Sequence, residues 1–342
     1  MPRSPPARVR RPSAGPRGRA PGRTGPVKVN AAPRPPGFRH ALVHADDPVE
    51  LLAAVVPAAR AAARDTGARV ALDLPTPLEE ALHDELGDEV ELGRLTSLTS
   101  SARESGQTVA AWRARELRAL TSSGRPVLVV GAHDPDLDGV DGGFWVELEA
   151  ALNISLAGLP VLQVCAYPRL PLHGAVGESA EVNHPLRLHA SGLAANPRYR
   201  PPAEAVAALP IAPPHLLGPP DVTLSYNTFE LSRVRDAVTE AARACRFDTT
   251  RGEDMVQAVN EIATNAVEHG SPQAELSVWA RDGELVCKVQ DSGVIALPLI
   301  GLAPPHPSQA RGRGTWIARQ LCDSLHVWRA PDGTHVRLLS RA

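Results

Sequence analysis

Between Ala258 and Gly270 the chain reads AVNEIATNAVEHG. Wound into a helix, this stretch brings Glu261, Asn265 and His269 to positions i, i+4 and i+8 of one face. A carboxylate and a carboxamide one turn apart can hold a hard cation with its water, or take the proton of a hydroxyl. Val259, Ile262, Ala263, Ala266 and Val267 take the opposite face, so spacing alone equally describes a helix with one solvated side. Further along, Asp291-Ser292-Gly293 closes a strand-like run and Gly312-Arg313-Gly314 opens a helical one. Glycines at a helix N-terminus let main-chain N–H groups meet an anion. A lone G-x-G carries little information. Here a polar helix face, an Asp-x-Gly after a strand and a glycine loop before a helix follow in order. Gly333-Thr334, entering the last strand, is a fourth element.

The elements that must position these residues are legible from periodicity. From Val222 onward, Thr228 caps a helix to about Cys245 and Arg251–His269 forms a longer one. Glu275–Arg281 and Glu284–Gln290 pair across Asp282-Gly283, a hairpin turn. A Pro- and Gly-rich loop spans 291–314, a helix runs over Thr315–Ser324, and Leu325–Arg329 pairs with Thr334–Leu339. This is an α+β sandwich, helices on one face of a mainly antiparallel sheet. Upstream the grammar differs. Strands at Arg39–Val43, Ala68–Leu74, Arg125–Val130 and Pro160–Tyr167 alternate with helices at Val49–Thr66, Leu78–Leu86, Val109–Ser122 and Phe144–Ala157. That alternation predicts an α/β domain with a largely parallel sheet over 38–202. Ala203–Asp221, rich in Ala and Pro, reads as a linker to the second domain, 222–342.

The chain has 342 residues, is 43% apolar and has a formal net charge of −2, which suits two globular domains and excludes a wholly basic nucleic-acid binder. No apolar run is long enough to span a membrane. Ten Arg or Lys and ten Pro fall within residues 1–45, with no acid, so 1–37 reads as a disordered tail. It is either a weak polyanion-binding arm or an unselected extension. Cys165, Cys245, Cys287 and Cys322 lie far apart without a C-x-x-C pair, which points to buried, reduced thiols in a cytoplasmic protein.

NEIATNAVEHG, DSG and GRGTWIARQLCD, in this order, resemble the Bergerat-fold (GHKL) ATPases of the histidine-kinase-like superfamily, above all the bacterial anti-sigma-factor serine/threonine kinases. The resemblance covers about Val222–Leu339. It implies ATP and Mg²⁺ as ligands, with Asn265 on Mg²⁺ and Glu261 as the general base toward an acceptor hydroxyl. Asp291 would hold the adenine amino group, and Gly293 would let the main chain approach the base. Gly312 and Gly314 would cradle phosphates, with charge added by Arg311 or Arg313, and Thr334 would support the adenine pocket. His269 would order the end of its helix. The implied partners are a STAS-type anti-sigma-factor antagonist and a sigma factor, in a homodimer-forming class. The sequence departs from the family in two places. Val294-Ile295-Ala296-Leu297 follows Gly293, where relatives often have a second glycine. The lid, 295–310, is short and carries four prolines. A histidine kinase would need a phospho-acceptor His on a dimerising helix, and His215 precedes Leu216-Leu217-Gly218-Pro219-Pro220, which forms none. A silent ATP- or partner-binding module and an ATPase without a protein acceptor are the other readings.

The upstream domain has neither a G-x-x-x-x-G-K-[ST] loop nor a G-x-G-x-x-G after a strand. His40, His44, His133, His173, His184 and His189 show no metal-ligand spacing and read as surface or helix-end residues. FWVELEAALNISLAGLPVLQVCAYP and NHPLRLHASGLAANPRYRPP resemble the end of a MEDS domain, a sensory domain with a RecA-like α/β core. Glu147, Asn153, Cys165, Tyr167, His184, Pro185, Asn196, Pro197 and Tyr199 fall in its recurring pattern, whereas Pro168 stands where many relatives have Asp. The resemblance implies sensing of a small molecule or a protein. Glu147 and His184 either line a pocket or are structural.

Overall fold

Val127-Leu128-Val129-Val130 is buried throughout, the pattern of a parallel strand covered by helices on both faces. The computed structural model describes residues 37–96, 104–207, 209, 211–295, 299–306 and 312–342. The tail expected at 1–37 falls, all but Gly37, outside the described residues, as does Arg311.

The first part runs β1 (Arg39–His44), α1 (Pro48–Thr66), β2 (Arg69–Asp73), α2 (Thr76–Leu86), β3 (Leu92–Arg94), α3 (Gly106–Leu120), β4 (Val127–Ala132), α4 (Gly143–Ser155), β5 (Val161–Tyr167), α5 (Gly174–Asn183), β6 (Leu186–His189) and β7 (Gly192–Ala195). Its seven strands lie in the order β3-β2-β4-β5-β1-β6-β7. All neighbours are parallel except the β6–β7 hairpin, so the sheet is mixed. The caps follow the chemistry of the sequence. Asp47 accepts from Glu50 N–H at the start of α1, and Gly67 ends it at φ 66°. Helix α4 is apolar on most sides yet carries Glu147 and Glu149, both buried. Two residues apart on a helix, they face different neighbours.

The second part runs β8 (Val222–Tyr226), α7 (Leu231–Ala244), α8 (Thr249–Asn265), β9 (Ala274–Arg281), β10 (Glu284–Asp291), α9 (Gly314–Leu321), β11 (Ser324–Ala330) and β12 (Gly333–Arg341). The five strands are antiparallel in the order β11-β12-β10-β9-β8, with the apolar sides of α7, α8 and α9 forming one core on the sheet.

Several boundaries differ from the sequence reading. Asn227, not Thr228, is the capping residue: in a reciprocal pair with Glu230 it caps a 3₁₀ turn, Thr228–Glu230, that leads into α7. Helix α8 ends at Asn265, and residues 266–270 form one wider turn closed by Ser271 N–H to Ala266 C=O. Ser324 opens β11 instead of ending a helix. The short strands β3, β6, β7 and β8 were not foreseen. Between the two parts, α6 (Pro202–Ala207) begins a segment that lies against its neighbours. Ala212, His215 and Gly218 carbonyls accept from His326, Arg337 and Trp279.

Helix α3 of the first part crosses β11, the edge of the second sheet. Trp112 Nε1 donates to Asp323 O at 2.6 Å, and Thr108 Oγ1 to Leu325 O at 3.3 Å. Among the described residues no helix is long and apolar enough to cross a membrane, and all four cysteines are free and buried.

Candidate functional site

The antiparallel register sets Asp291, the last residue of β10, opposite Thr334 of β12 and Ala274 of β9. At this end of the sheet the wide turn after α8 brings Gly270 onto Gly293. A Cβ on Gly293 would sit 2.5 Å from Gly270 Cα, and one on Gly270 would sit 2.1 Å from Asp291 Oδ1. Only two glycines permit this approach of main chain to main chain. Asp291 Oδ1 accepts from Gly293 N–H at 2.7 Å. Thr334 Oγ1 donates to Gly293 O at 2.8 Å and accepts from Ile295 N–H at 3.1 Å. Burial pushes the Asp291 carboxyl above its usual range, while the Gly293 N–H and the charge of His335 act the other way.

Beside this loop is a cavity of about 340 Å³. Asn265, Asp291, Gly293, Gly312 and Thr334 line it, with His269 and Gly270 from the wide turn. Ile262, Val289, Ile295, Ile300 and Val336 give it apolar walls that suit a flat aromatic ring, with a few polar groups to orient it. Glu261 lies next to it. A Cβ on Gly314 would meet Glu261 Oε2 at 2.6 Å and Asn265 Nδ2 at 3.1 Å, so the first turn of α9 closes directly on both side chains. Arg313 immediately precedes α9 and is not among the lining residues.

The sequence reading missed Thr315, Ile300 and Gly301. Asn265 Nδ2 donates to Thr315 Oγ1 at 3.4 Å, which commits the amide nitrogen and leaves Oδ1 as the ligand atom. Gly301, at φ 71°, lies so close to Thr315 that a Cβ would meet its carbonyl carbon at 2.7 Å. Its neighbours Leu299 and Leu302 are buried in the same apolar cluster as Val109, Leu148 and Leu152 of the first part. One short segment therefore has its middle in the cavity wall and its flanks in the other core.

Residues 225–339 match the family model of the histidine kinase-like ATPase domain. No curated protein matches the chain. The matched span contains both sides of the cavity. A domain of that family implies ATP, with Mg²⁺ on its phosphates, and the residues present fit that pair. Mg²⁺ keeps most of its waters and takes one or two protein oxygens beside the phosphates. Asn265 Oδ1 would supply one, and the absence of a side chain at Gly314 leaves room beside it.

A buried guanidinium joins the matched span to α3. Arg319 of α9 is 3% exposed. It donates to Ile300 O at 3.0 Å, Leu325 O at 2.8 Å and Gln107 Oε1 at 2.7 Å. Gln107 in turn donates to Glu147 Oε1 at 2.5 Å. Burial lifts the Glu147 carboxyl to about 7, against the pull of Gln107, the Gly106 N–H and Arg319. Glu147 and His326 face a second cavity of about 590 Å³, between α4, α5 and the segment after α6. Of the pair read as pocket or structural residues, Glu147 lines this cavity, whereas His184 is fully buried elsewhere.

Proposed function

We propose that this chain is an ATP-dependent signalling regulator in which a MEDS-like sensory domain controls an anti-sigma-factor-type serine/threonine kinase. Its phosphoryl acceptor would be a Ser or Thr of a STAS-type anti-sigma-factor antagonist, and a sigma factor its second partner. The observation that supports this most is the convergence of Asn265, Asp291, Gly293, Gly312 and Thr334 on one apolar-walled cavity.

In this reading Asp291, held by the Gly293 N–H, accepts the adenine amino group, and Thr334 fixes the loop that carries Gly293. Gly312 and Gly314 let main-chain N–H groups approach the phosphates. Asn265 holds the cation through Oδ1. Glu261 takes the proton of the acceptor hydroxyl. Bound Mg²⁺ neutralises charge on the phosphates, so the protein's work is mostly positioning. Two features favour control by the first part: the burial of Leu299 and Leu302 in its core, and the Glu147–Gln107–Arg319 chain. A signal molecule in the larger cavity would touch Glu147 and His326 directly.

The test is transfer of labelled γ-phosphate from ATP to antagonist proteins, with the full chain and Glu261→Gln. A kinase loses transfer in the variant and keeps nucleotide binding. Steady phosphate release with no labelled protein would instead mean an ATPase without an acceptor. Intact partner binding without ATP would mean a binding module.

A further inference from the structure

Four chemically reactive side chains meet inside the first part, away from both cavities. His40 comes from β1, Glu149 from α4, Cys165 from β5 and His184 from the α5–β6 junction. All are buried, at 0%, 1%, 6% and 0% exposure, and one ligand-type atom from each lies within 4.8 Å of the others. His40 Nε2 is 3.3 Å from Cys165 Sγ and 3.2 Å from Glu149 Oε2, and His184 Nε2 is 3.4 Å from the same oxygen.

The surroundings fix which atoms point inward. His184 Nδ1 lies 2.7 Å from Ala180 O, a group that can only accept, so Nδ1 carries the hydrogen. Asn153 directs its NH₂ at Glu149 O and Asn183 O, which turns its Oδ1 to His40 Nδ1 at 3.2 Å. That ring nitrogen therefore also carries a hydrogen. In the neutral imidazoles both Nε2 atoms then present lone pairs to a carboxylate oxygen. The Cys165 S–H, directed at His40 Nε2 at 3.3 Å, is the one donor the cluster offers, and the carboxylate oxygen and His184 Nε2 are left facing each other. Glu149 Oε2 and His184 Nε2 indeed lack a hydrogen-bond partner. Lone pairs converging in a dry interior are costly unless a cation sits between them.

We propose that His40, Glu149, Cys165 and His184 form a closed, tetrahedral zinc site. Zinc takes thiolate, imidazole and carboxylate ligands at about 2.0–2.3 Å, which sets ligand atoms about 3.3–3.7 Å apart. The three contacts of 3.2, 3.3 and 3.4 Å are close to this, and all pairs lie within 4.8 Å. Charge agrees as well. A thiolate and a carboxylate balance Zn²⁺, so the buried cluster is neutral; the Cys165 S–H proton leaves to solvent as the Zn–S bond forms. Each ligand has an outer partner of the kind that orients metal ligands. Besides Asn153 and Ala180, Tyr167 O–H donates to Glu149 Oε1 at 2.6 Å and Gln163 Nε2 to Cys165 Sγ at 3.5 Å. With no open position left, the metal's role is structural, tying β1 to β5, α4 and the start of β6. The reading of these histidines as surface or helix-end residues fails for His40, buried within β1; His184 does stand at a helix end, as the C-cap of α5, but is fully buried there. Sequence spacing could not show it, because the ligands lie on four separate elements.

The test uses the full chain, produced with zinc in the medium and purified without chelator. Elemental analysis should find about one zinc per chain. Replacement by Co²⁺ should give a near-ultraviolet sulfur-to-cobalt charge-transfer band and strong tetrahedral visible absorption. Cys165→Ser should lose the charge-transfer band, whereas Cys245→Ser should keep it. Asn153→Ala should weaken zinc binding roughly 10–100-fold, as loss of an orienting partner does. If Cys165→Ser does not fold, zinc-edge X-ray absorption of the unaltered chain decides, and one sulfur with three nitrogen or oxygen neighbours is expected. Absence of stoichiometric zinc with a melting temperature unmoved by zinc or chelator overturns the proposal. So does a charge-transfer band that persists in Cys165→Ser, or a zinc shell without sulfur.

Discussion

The side-chain amide of Gln107 is bonded on both sides to the main chain of Val327, donating to its carbonyl at 3.1 Å and accepting from its N–H at 3.0 Å. Val327 lies on β11, the edge of the second sheet, so one carboxamide on α3 does there what a neighbouring strand would do. The same Oε1 accepts from Arg319, and the same nitrogen reaches Glu147. The junction is a satisfied polar network, and such networks are sensitive to loss of one member.

Gln107→Leu should therefore destabilise the chain by roughly 1–3 kcal/mol, since it strands the N–H of Val327 and one arm of Arg319. Arg319→Leu should cost at least as much, because the carbonyl of Ile300 also loses this donor and that of Leu325 loses the shorter of its two side-chain bonds, keeping Thr108. Urea unfolding of the full chain measures both. The two changes together should cost less than their sum, because they share one hydrogen bond.

Glu147 gives a pH signature. Its folded carboxyl titrates near 7 and an unfolded one near 4.5. Below 4.5 both states hold the proton and there is no effect. Between 4.5 and 7 only the unfolded state releases it, so Glu147 lowers stability as pH rises, by up to about 3 kcal/mol. His326, pushed down to about 4 by burial, acts in the opposite sense between 4 and 6.5. The clean quantity is thus the difference between Glu147→Gln and the unaltered chain. It should grow in favour of the variant from pH 4.5 to 7 and then level off.

The glycine contacts around the ATP cavity make a steric prediction. Gly293→Ala places a methyl against Gly270 and Asp291, and Gly314→Ala places one against Glu261 and Asn265. Gly293→Ala, which meets main chain, should weaken ATP binding at least 10-fold, with the strain of a forced contact costing about 1–3 kcal/mol. Gly314→Ala meets only the ends of the Glu261 and Asn265 side chains, which can turn aside, so its effect should be smaller and come from displacing those two groups. Gly283→Ala, whose Cβ would meet nothing within 4 Å, is the control for nucleotide affinity, since only its φ of 71° is strained.

Leu302 tests the link between the two parts. It does not line the ATP cavity, yet it is anchored in the core of the first part beside Gly301, which does. Leu302→Ala should cost about 2–5 kcal/mol by leaving a cavity. It should also change ATP affinity, measured on the folded variant below its melting temperature.

Both sheets were legible from the sequence where strands were long and turns were marked, as with Asp282-Gly283 between β9 and β10. Edge strands such as β3 and β7 were not, because three or four residues carry too little alternation to register. The polar residues around the ATP cavity stand in one ordered set of motifs. Ile300, Gly301 and Thr315 do not, since their roles come from the packing of the segment around Gly301 onto the first turn of α9. His40, Glu149, Cys165 and His184 were invisible as a group, because the register of β1 with β5 brings only His40 and Cys165 together, and the packing of α4 and of the α5–β6 junction adds the other two.

Calorimetric titration of the full chain with ATP and Mg²⁺, with Asn265→Ala alongside, tests most directly whether the cavity beside Asp291 and Asn265 takes a nucleotide. Saturable, Mg²⁺-dependent binding by the unaltered chain and its loss in the variant are the expected results. Equal heats from both proteins, or none from the unaltered chain at millimolar ATP, would contradict the assignment of this cavity to a nucleotide.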